Sequence, residues 1–209
     1  MHIHTEIINQ CCKAVNAQSY LEIGINDRTK NFDLINCRFK IGVDPNPAAV
    51  ANFTGTSDEF FEKWLMVTDY DSDSTQKENW GFDVIFLDGL HHHDQLKKDF
   101  ENALACLKPG GLIIMHDTNP AEERFTHVPR DVRGRWNGSC YKFVPELVNY
   151  KVDWTTCEWE PNGVTVAKMI EQDYEFNSGR PFRDFDEFVS QKQILHFVNR
   201  QKFEQWLTS

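Results

Sequence analysis

The chain has 209 residues, 32 acidic against 22 basic, and a formal net charge of −10 at pH 7. This length suits one domain, expected over 1–209, with chain enough for a sizeable core, and 16 Phe, 6 Trp and 5 Tyr exclude a disordered polymer. The acidic balance argues against a general binder of nucleic acid or of anionic membranes. No apolar run reaches the roughly 18 residues of a spanning helix, and the opening MHIHTEIINQ lacks a signal-peptide pattern. Six scattered cysteines without C-x-x-C spacing read as reduced thiols, hence a cytoplasmic setting.

In chain order, Thr5 to Ala17 reads as a short amphipathic helix, and Ser19 to Gly24 as an apolar strand ending in glycine. A second amphipathic segment runs through Phe32, Leu34 and Ile35. Phe39 to Pro45 is the next strand, closed by Asp44. That acid stands 20 residues beyond Gly24, the offset at which nucleotide-binding α/β folds place a ribose-holding carboxylate. Thr54 to Ser57 reads as a short third strand, and Ser57 as the N-cap of a helix from Asp58 to Leu65. Asp69 to Asn79 reads as a solvated acidic loop; Asp69, Asp71 and Asp73 lack the glycine and distal glutamate of a calcium loop.

The block from Phe82 to Asn119 organises the rest. The apolar run Val84 to Leu87 ends at Asp88. A helical face of Leu96, Phe100, Ala103, Leu104 and Leu107 follows, stopped by Lys108-Pro109-Gly110-Gly111. A second apolar run, Leu112 to Met115, ends at His116-Asp117. Unalternating apolar runs suit parallel strands covered on both faces. Parallel strands put their carboxyl ends at the edge where ligands bind, so Asp88 and Asp117 are expected there, side by side if the strands are neighbours. Beyond Asn119, Pro120 to Asn137 is too polar and too broken for core and reads as a lid. Its Arg124, Arg130, Arg133 and Arg135 offer themselves to a phosphate or carboxylate. Val144 to Tyr150 reads as helix, Lys151 to Trp159 and Gly163 to Ile170 as a late hairpin turning at Pro161-Asn162-Gly163, and Phe185 to Val189 and Ile194 to Leu207 as closing helices.

At Tyr20-Leu-Glu-Ile-Gly24, Ile41-Gly-Val-Asp-Pro45, Thr56-Ser-Asp-Glu-Phe-Phe61 and the 82–119 block, the chain resembles class I S-adenosylmethionine-dependent methyltransferases. Gly89-Leu90-His91, His116-Asp117 and Trp136-Asn137-Gly138 resemble more narrowly the branch associated with carbohydrate and polysaccharide biosynthesis. The resemblance implies an α/β, Rossmann-like fold: a seven-stranded, mostly parallel sheet with helices on both faces and a late antiparallel hairpin. It implies S-adenosylmethionine as cofactor, with Glu22 and Gly24 at its methionine end, Asp44 on its ribose, the Ser57-Asp58 turn towards its adenine and Asp88 closing the site. Where family members carry a second glycine, this chain has Arg28, and Asn26 or Asp27 is expected to supply the tight turn instead.

The function implied is O-methylation of a small-molecule acceptor, such as a sugar or sugar nucleotide, with His91 as the base that takes the hydroxyl proton. Metal-assisted O-methyltransferases, which the chain resembles in part, hold a divalent ion on acids matching Asp88 and Asp117. Thr118 and Asn119 are the candidates for a third ligand, and such an oxygen set suits Mg²⁺. The residues leave the metal route and the metal-free route both open, and association into a homo-oligomer open as well. A nicotinamide-dependent oxidoreductase is the alternative enzyme, disfavoured because no G-x-G-x-x-G follows the first strand. A catalytically degenerate methyltransferase fold used for binding is the non-enzymatic alternative, with Arg28 as its motive.

Overall fold

The computed structural model describes residues 2–70, 81–170 and 178–209. In chain order its elements are α1 (Ile3–Ala14), β1 (Ser19–Ile23), β2 (Phe39–Asp44), β3 (Phe53–Thr54), α2 (Ser57–Tyr70), β4 (Phe82–Leu87), α3 (His93–Cys106), β5 (Leu107–His116), β6 (Val152–Cys157), β7 (Val164–Met169), α4 (Phe185–Ser190), β8 (Phe197–Val198) and α5 (Arg200–Leu207). The strands follow one another across the sheet as β3-β2-β1-β4-β5-β7-β6-β8. The chain packs as two compact units. One comprises residues up to Gly89 with Lys98–Ile113, the other Leu90–Lys97 with Ile114–Ser209.

In the first unit β1 pairs parallel with β2 on one side and with β4 on the other, and β3 extends β2. Every residue of β1 is buried, as a strand covered on both faces requires. The strand starts are locked by Asp83, whose carboxylate accepts the N–H of Gln18 and Ser19 and the Ser19 hydroxyl. Around the sheet lie Ile7 and Ile8 of α1, Phe60 and Phe61 of α2 and Phe100 of α3, all buried. The helix expected through Phe32, Leu34 and Ile35 is only one 3-10 turn, Phe32–Leu34. Helix α2 is capped one residue earlier than expected. The Thr56 hydroxyl accepts the Glu59 N–H while the Glu59 carboxylate accepts the Thr56 N–H, a reciprocal capping box. Helix α3 stops at Cys106, so Lys108 to Gly111 belongs to β5 rather than to a helix cap. Of the expected acidic loop, residues 71–79 lie outside the described residues, and the metal reading of Asp69, Asp71 and Asp73 with them.

In the second unit β6 and β7 form the expected antiparallel hairpin. The segment expected as helix from Val144 is a 3-10 helix over Cys140–Asn149, with Pro145 inside it; a ring nitrogen without a hydrogen cannot extend an α-helical ladder. Its Tyr141 meets Phe182, Phe185 and Phe188 in an aromatic cluster that seats α4. The sheet has eight strands where seven were expected. Within Ile194–Leu207, read as one helix, His196 takes left-handed backbone geometry and ends a 3-10 turn. Its carbonyl accepts the Thr156 N–H and the Thr155 hydroxyl, so Phe197–Val198 runs on as β8 beside β6. Among the described residues no helix is long and apolar enough to cross a membrane.

Candidate functional site

The first unit presents a glycine turn at the carboxyl end of β1. Gly24 has φ +90, and a Cβ there would stand 2.0 Å from the Asp88 carbonyl oxygen. Glycine is required twice over, for the left-handed backbone and for the close approach of the chain leaving β4. Asn26, at φ 52, supplies the second left-handed residue, as the sequence led one to expect. Arg28 does not fill the turn. Its guanidinium pairs with Asp33 at 2.8 Å and donates to the Val50 carbonyl.

Asp44 is 7% exposed at the end of β2. One of its oxygens accepts the N–H of Ile25 and Asn26, at 2.9 and 2.8 Å, and the other accepts the N–H of Asn46. The acid that spacing marks as a ribose holder thus pins the glycine turn itself, using three of the roughly four acceptor directions of a carboxylate. Glu22 is 1% exposed and accepts the Tyr20 hydroxyl at 2.7 Å and the Asn31 amide at 3.0 Å. Burial pushes its carboxyl up to about 7, against the lowering by those two hydrogen bonds. Tyr20 and Asn31 carry no sequence signal as its partners. Ser57 opens α2, and Asp58 pairs with Lys98 at 2.7 Å. Asp88 follows directly on β4, its N–H bonded to the Ile23 carbonyl.

The second unit presents an imidazole–carboxylate pair. His91 Nδ1 lies 3.1 Å from Asp117 Oδ2 and 3.1 Å from the Trp136 carbonyl oxygen. Both residues adopt φ 59, which for a non-glycine residue costs about 1–3 kcal/mol and persists only where the surroundings enforce it. Those surroundings are the segment Trp136-Asn137-Gly138-Ser139. The Trp136 ring stacks on His91 with centroids 5.1 Å apart. The Asn137 amide donates to Asp117 Oδ1 at 2.8 Å. The Ser139 N–H donates to the His91 carbonyl, and a Cβ on Gly138 would stand 2.0 Å from that same oxygen. His116 also faces the carboxylate, with Nδ1 3.4 Å from Asp117 Oδ2. With a carboxylate and a carbonyl both at Nδ1, that nitrogen carries the proton in the neutral ring, and Nε2 is then the basic one.

The remaining residues of the expected metal set divide. Thr118 is wholly buried, and its hydroxyl oxygen accepts from Thr165 at 2.8 Å. Asn119 keeps its amide oxygen buried without a hydrogen-bond partner among the described residues, an unmet need that a cation or a donor would relieve. Of the arginines of 124–135, Arg124 and Arg130 bond within their own loop, and Arg135 lies over the Phe125 ring. Arg124 pairs with Glu122, and Arg130 donates to the Val132 and Gly134 carbonyls.

Residues 27–118 match the family model of a methyltransferase domain. No curated protein sequence matches the chain. Among solved structures the fold resembles an O-methyltransferase from Bacillus cereus in complex with SAH, at 14% identity and TM-score 0.52, with 80% of each chain covered. It resembles the O-methyltransferase TomG from Streptomyces achromogenes in complex with SAM at 14% identity and TM-score 0.50, with 79% of each chain covered. A third likeness is the methyltransferase MycE of the mycinamycin pathway, in complex with Mg, SAH and mycinamycin VI. Its identity is 15% and its TM-score 0.50, over 90% of this chain and 53% of that one. The chain has the α/β, Rossmann-like methyltransferase fold, with a mostly parallel sheet and a late antiparallel hairpin.

Proposed function

We propose that the methyltransferase domain carried by this chain transfers the methyl group of S-adenosylmethionine to a hydroxyl oxygen of a small-molecule acceptor, a sugar or sugar nucleotide by class. The observation that carries the reading is the His91–Asp117 pair, clasped by Trp136, Asn137 and Gly138. Two non-glycine residues in left-handed geometry are tolerated where positioning is the task. The sugar class rests on Gly89-Leu90-His91, His116-Asp117 and Trp136-Asn137-Gly138, and the cytoplasmic setting on the scattered cysteines.

S-adenosylmethionine supplies the electrophilic methyl group. The turn at Gly24 leaves the backbone open to close approach, Glu22 and Gly24 border the methionine end, and Asp44 offers its remaining acceptor direction to a ribose hydroxyl. The Ser57-Asp58 turn serves the adenine. His91 Nε2 accepts the acceptor's hydroxyl proton, while Asp117 and the Trp136 carbonyl hold Nδ1–H and stabilise the imidazolium that forms.

A divalent ion is the second route, favoured by the unmet amide oxygen of Asn119, two residues along the chain from the buried carboxylate of Asp117. Asp117 and Asn119 would hold it, and it would lower the acceptor hydroxyl's pKa. Asp88 remains the acid proposed from the first unit.

Transfer of labelled methyl groups from S-adenosylmethionine to a panel of sugar nucleotides and glycosides tests the activity, with EDTA and added Mg²⁺ separating the two routes. A His91→Gln chain is expected to bind S-adenosylmethionine normally and to lose about 100-fold or more in turnover, the scale of general-base catalysis. Selective binding of NAD in place of S-adenosylmethionine would overturn the reading.

A further inference from the structure

We infer that the second unit carries an anion-binding subsite, a cleft lined by Lys142, Arg180 and Arg183 that takes a phosphate or carboxylate group of the acceptor. The naming of the acceptor rests on the methyltransferase reading; the anion site does not.

The cleft has a volume of about 530 Å³, and His93, Ser139 and Phe182 also line it. Small-molecule sites span roughly 300–1,000 Å³, so it accommodates a charged group together with part of what carries it. Its three cations are held in place. Lys142 Nζ donates to the Arg183 carbonyl at 2.9 Å and pairs with no carboxylate among the described residues. Arg180 forks onto both oxygens of Glu187. Glu187 is 8% exposed and also accepts the Arg183 backbone N–H at 2.8 Å and its Nε at 3.4 Å. The Arg180 guanidinium holds Glu187 well below the usual carboxylate range, so it is ionised and fixed. Asp184 is turned to capping α4 through the Glu187 N–H.

One buried carboxylate therefore organises two guanidiniums, and a third cation stands beside them. A net positive cleft on a chain of net charge −10 is a local reversal of sign, which attracts oxyanions in particular. Guanidiniums recognise phosphate and carboxylate through paired N–H donors. Ser139 adds a hydroxyl whose oxygen already accepts the His93 N–H at 2.7 Å, which leaves its proton to donate. The ring nitrogens of His93 face Asp94 and Glu146, and Glu146 pairs in turn with Lys97, so this ring is engaged away from the three cations.

The cleft adjoins the residues that hold the base. Ser139 lines it and also donates its N–H to the His91 carbonyl, and His93 lies two residues from His91, within about 7 Å along an extended backbone. An acceptor anchored here by its anionic group would present a nearby hydroxyl to His91. The arginines of 124–135 suggest this role in the sequence. In the fold it falls to cations 40 residues apart, which no local pattern joins.

Calorimetric titration of the full chain with pyrophosphate and with citrate tests the inference. Saturable binding of at least one is expected at low ionic strength, weakened by added salt. Lys142→Gln, at a half-buried residue, and Arg183→Gln, at an exposed one, should each weaken it about tenfold or more, the worth of a charge-assisted hydrogen bond. The tighter anion names the source, phosphate or carboxylate. No saturable binding of either, or binding unchanged in both variants, would overturn the subsite. S-adenosylmethionine titrated into the same samples separates the two readings. Failure to bind it sinks the methyltransferase reading whatever the anions do, whereas anion binding lost with cofactor binding retained sinks the subsite alone.

Discussion

A single atom decides the first turn. A Cβ at residue 24 would meet a backbone carbonyl at 2.0 Å, and backbone cannot swing aside as the end of a long side chain can. Gly24→Ala is therefore expected to cost about 3 kcal/mol or more in denaturant unfolding, adding left-handed strain to a clash. A loss under 1 kcal/mol would show the turn to be looser than described. Glu22 carries a pH signature. Its folded-state value of about 7 lies above the ordinary 4.5, with burial as the main cause. The folded chain thus prefers the protonated form, and stability from this group is fully present below pH 4.5 and declines as pH rises through about 7. Across that window the decline amounts to roughly 3 kcal/mol. Glu22→Gln keeps an acceptor for Tyr20 and Asn31 and removes the titration, so its stability relative to the parent chain should climb over the same window. Parallel stability profiles for parent and variant would remove Glu22 as the source.

Among the elements, the segment from Pro120 to Asn137 was legible as a long connection and read as a lid, but its role as a clasp, completed by Gly138 and Ser139, was not. It is bonded largely to itself: Asn137 and Gly138 donate to the Phe125 carbonyl, and the Trp136 indole donates to the His127 carbonyl. Its tip then closes on His91. Gly138→Ala, at φ +58 and with a Cβ on the His91 carbonyl, should break that closure. The readout is amide exchange: the Ser139 N–H, donating to His91, should lose about tenfold or more in protection, equivalent to opening the clasp by about 1.4 kcal/mol. Unchanged protection at Ser139 would mean that His91 is held by other contacts.

For the molecule as a whole, a ligand that binds only the folded chain raises its melting temperature by mass action. S-adenosylmethionine at a hundredfold excess over its dissociation constant contributes about 2.7 kcal/mol. For a chain of this size that is roughly 5–10 °C. NAD at the same concentration should leave the melting temperature unchanged; the reverse pattern would favour an oxidoreductase. Mg²⁺ added with the cofactor should raise it further if Asp117 and Asn119 hold an ion.

The strands β1, β2 and β4, the second half of β5 from Leu112 and the turn at Gly24 could be read from the chain because each depends on neighbours in sequence: an unbroken apolar run, an acid at its end, a glycine where the backbone must turn. The late hairpin was legible for the same reason. What the chain alone could not show depends on groups far apart along it. Asp44 was marked by its spacing, but that it pins Ile25 and Asn26 follows only from β2 lying beside β1. His91 and Asp117 were both singled out, yet their pairing needs the backbone of each to turn left-handed, which Trp136 to Ser139 enforce from 20 residues beyond Asp117 and 45 beyond His91. The strand β8 sat inside a helical pattern of apolar residues, and hydrogen bonds to Thr155 and Thr156 of β6 outweighed that local preference. Local propensity is worth tenths of a kilocalorie per residue, and a buried backbone group left without its partner costs several times more.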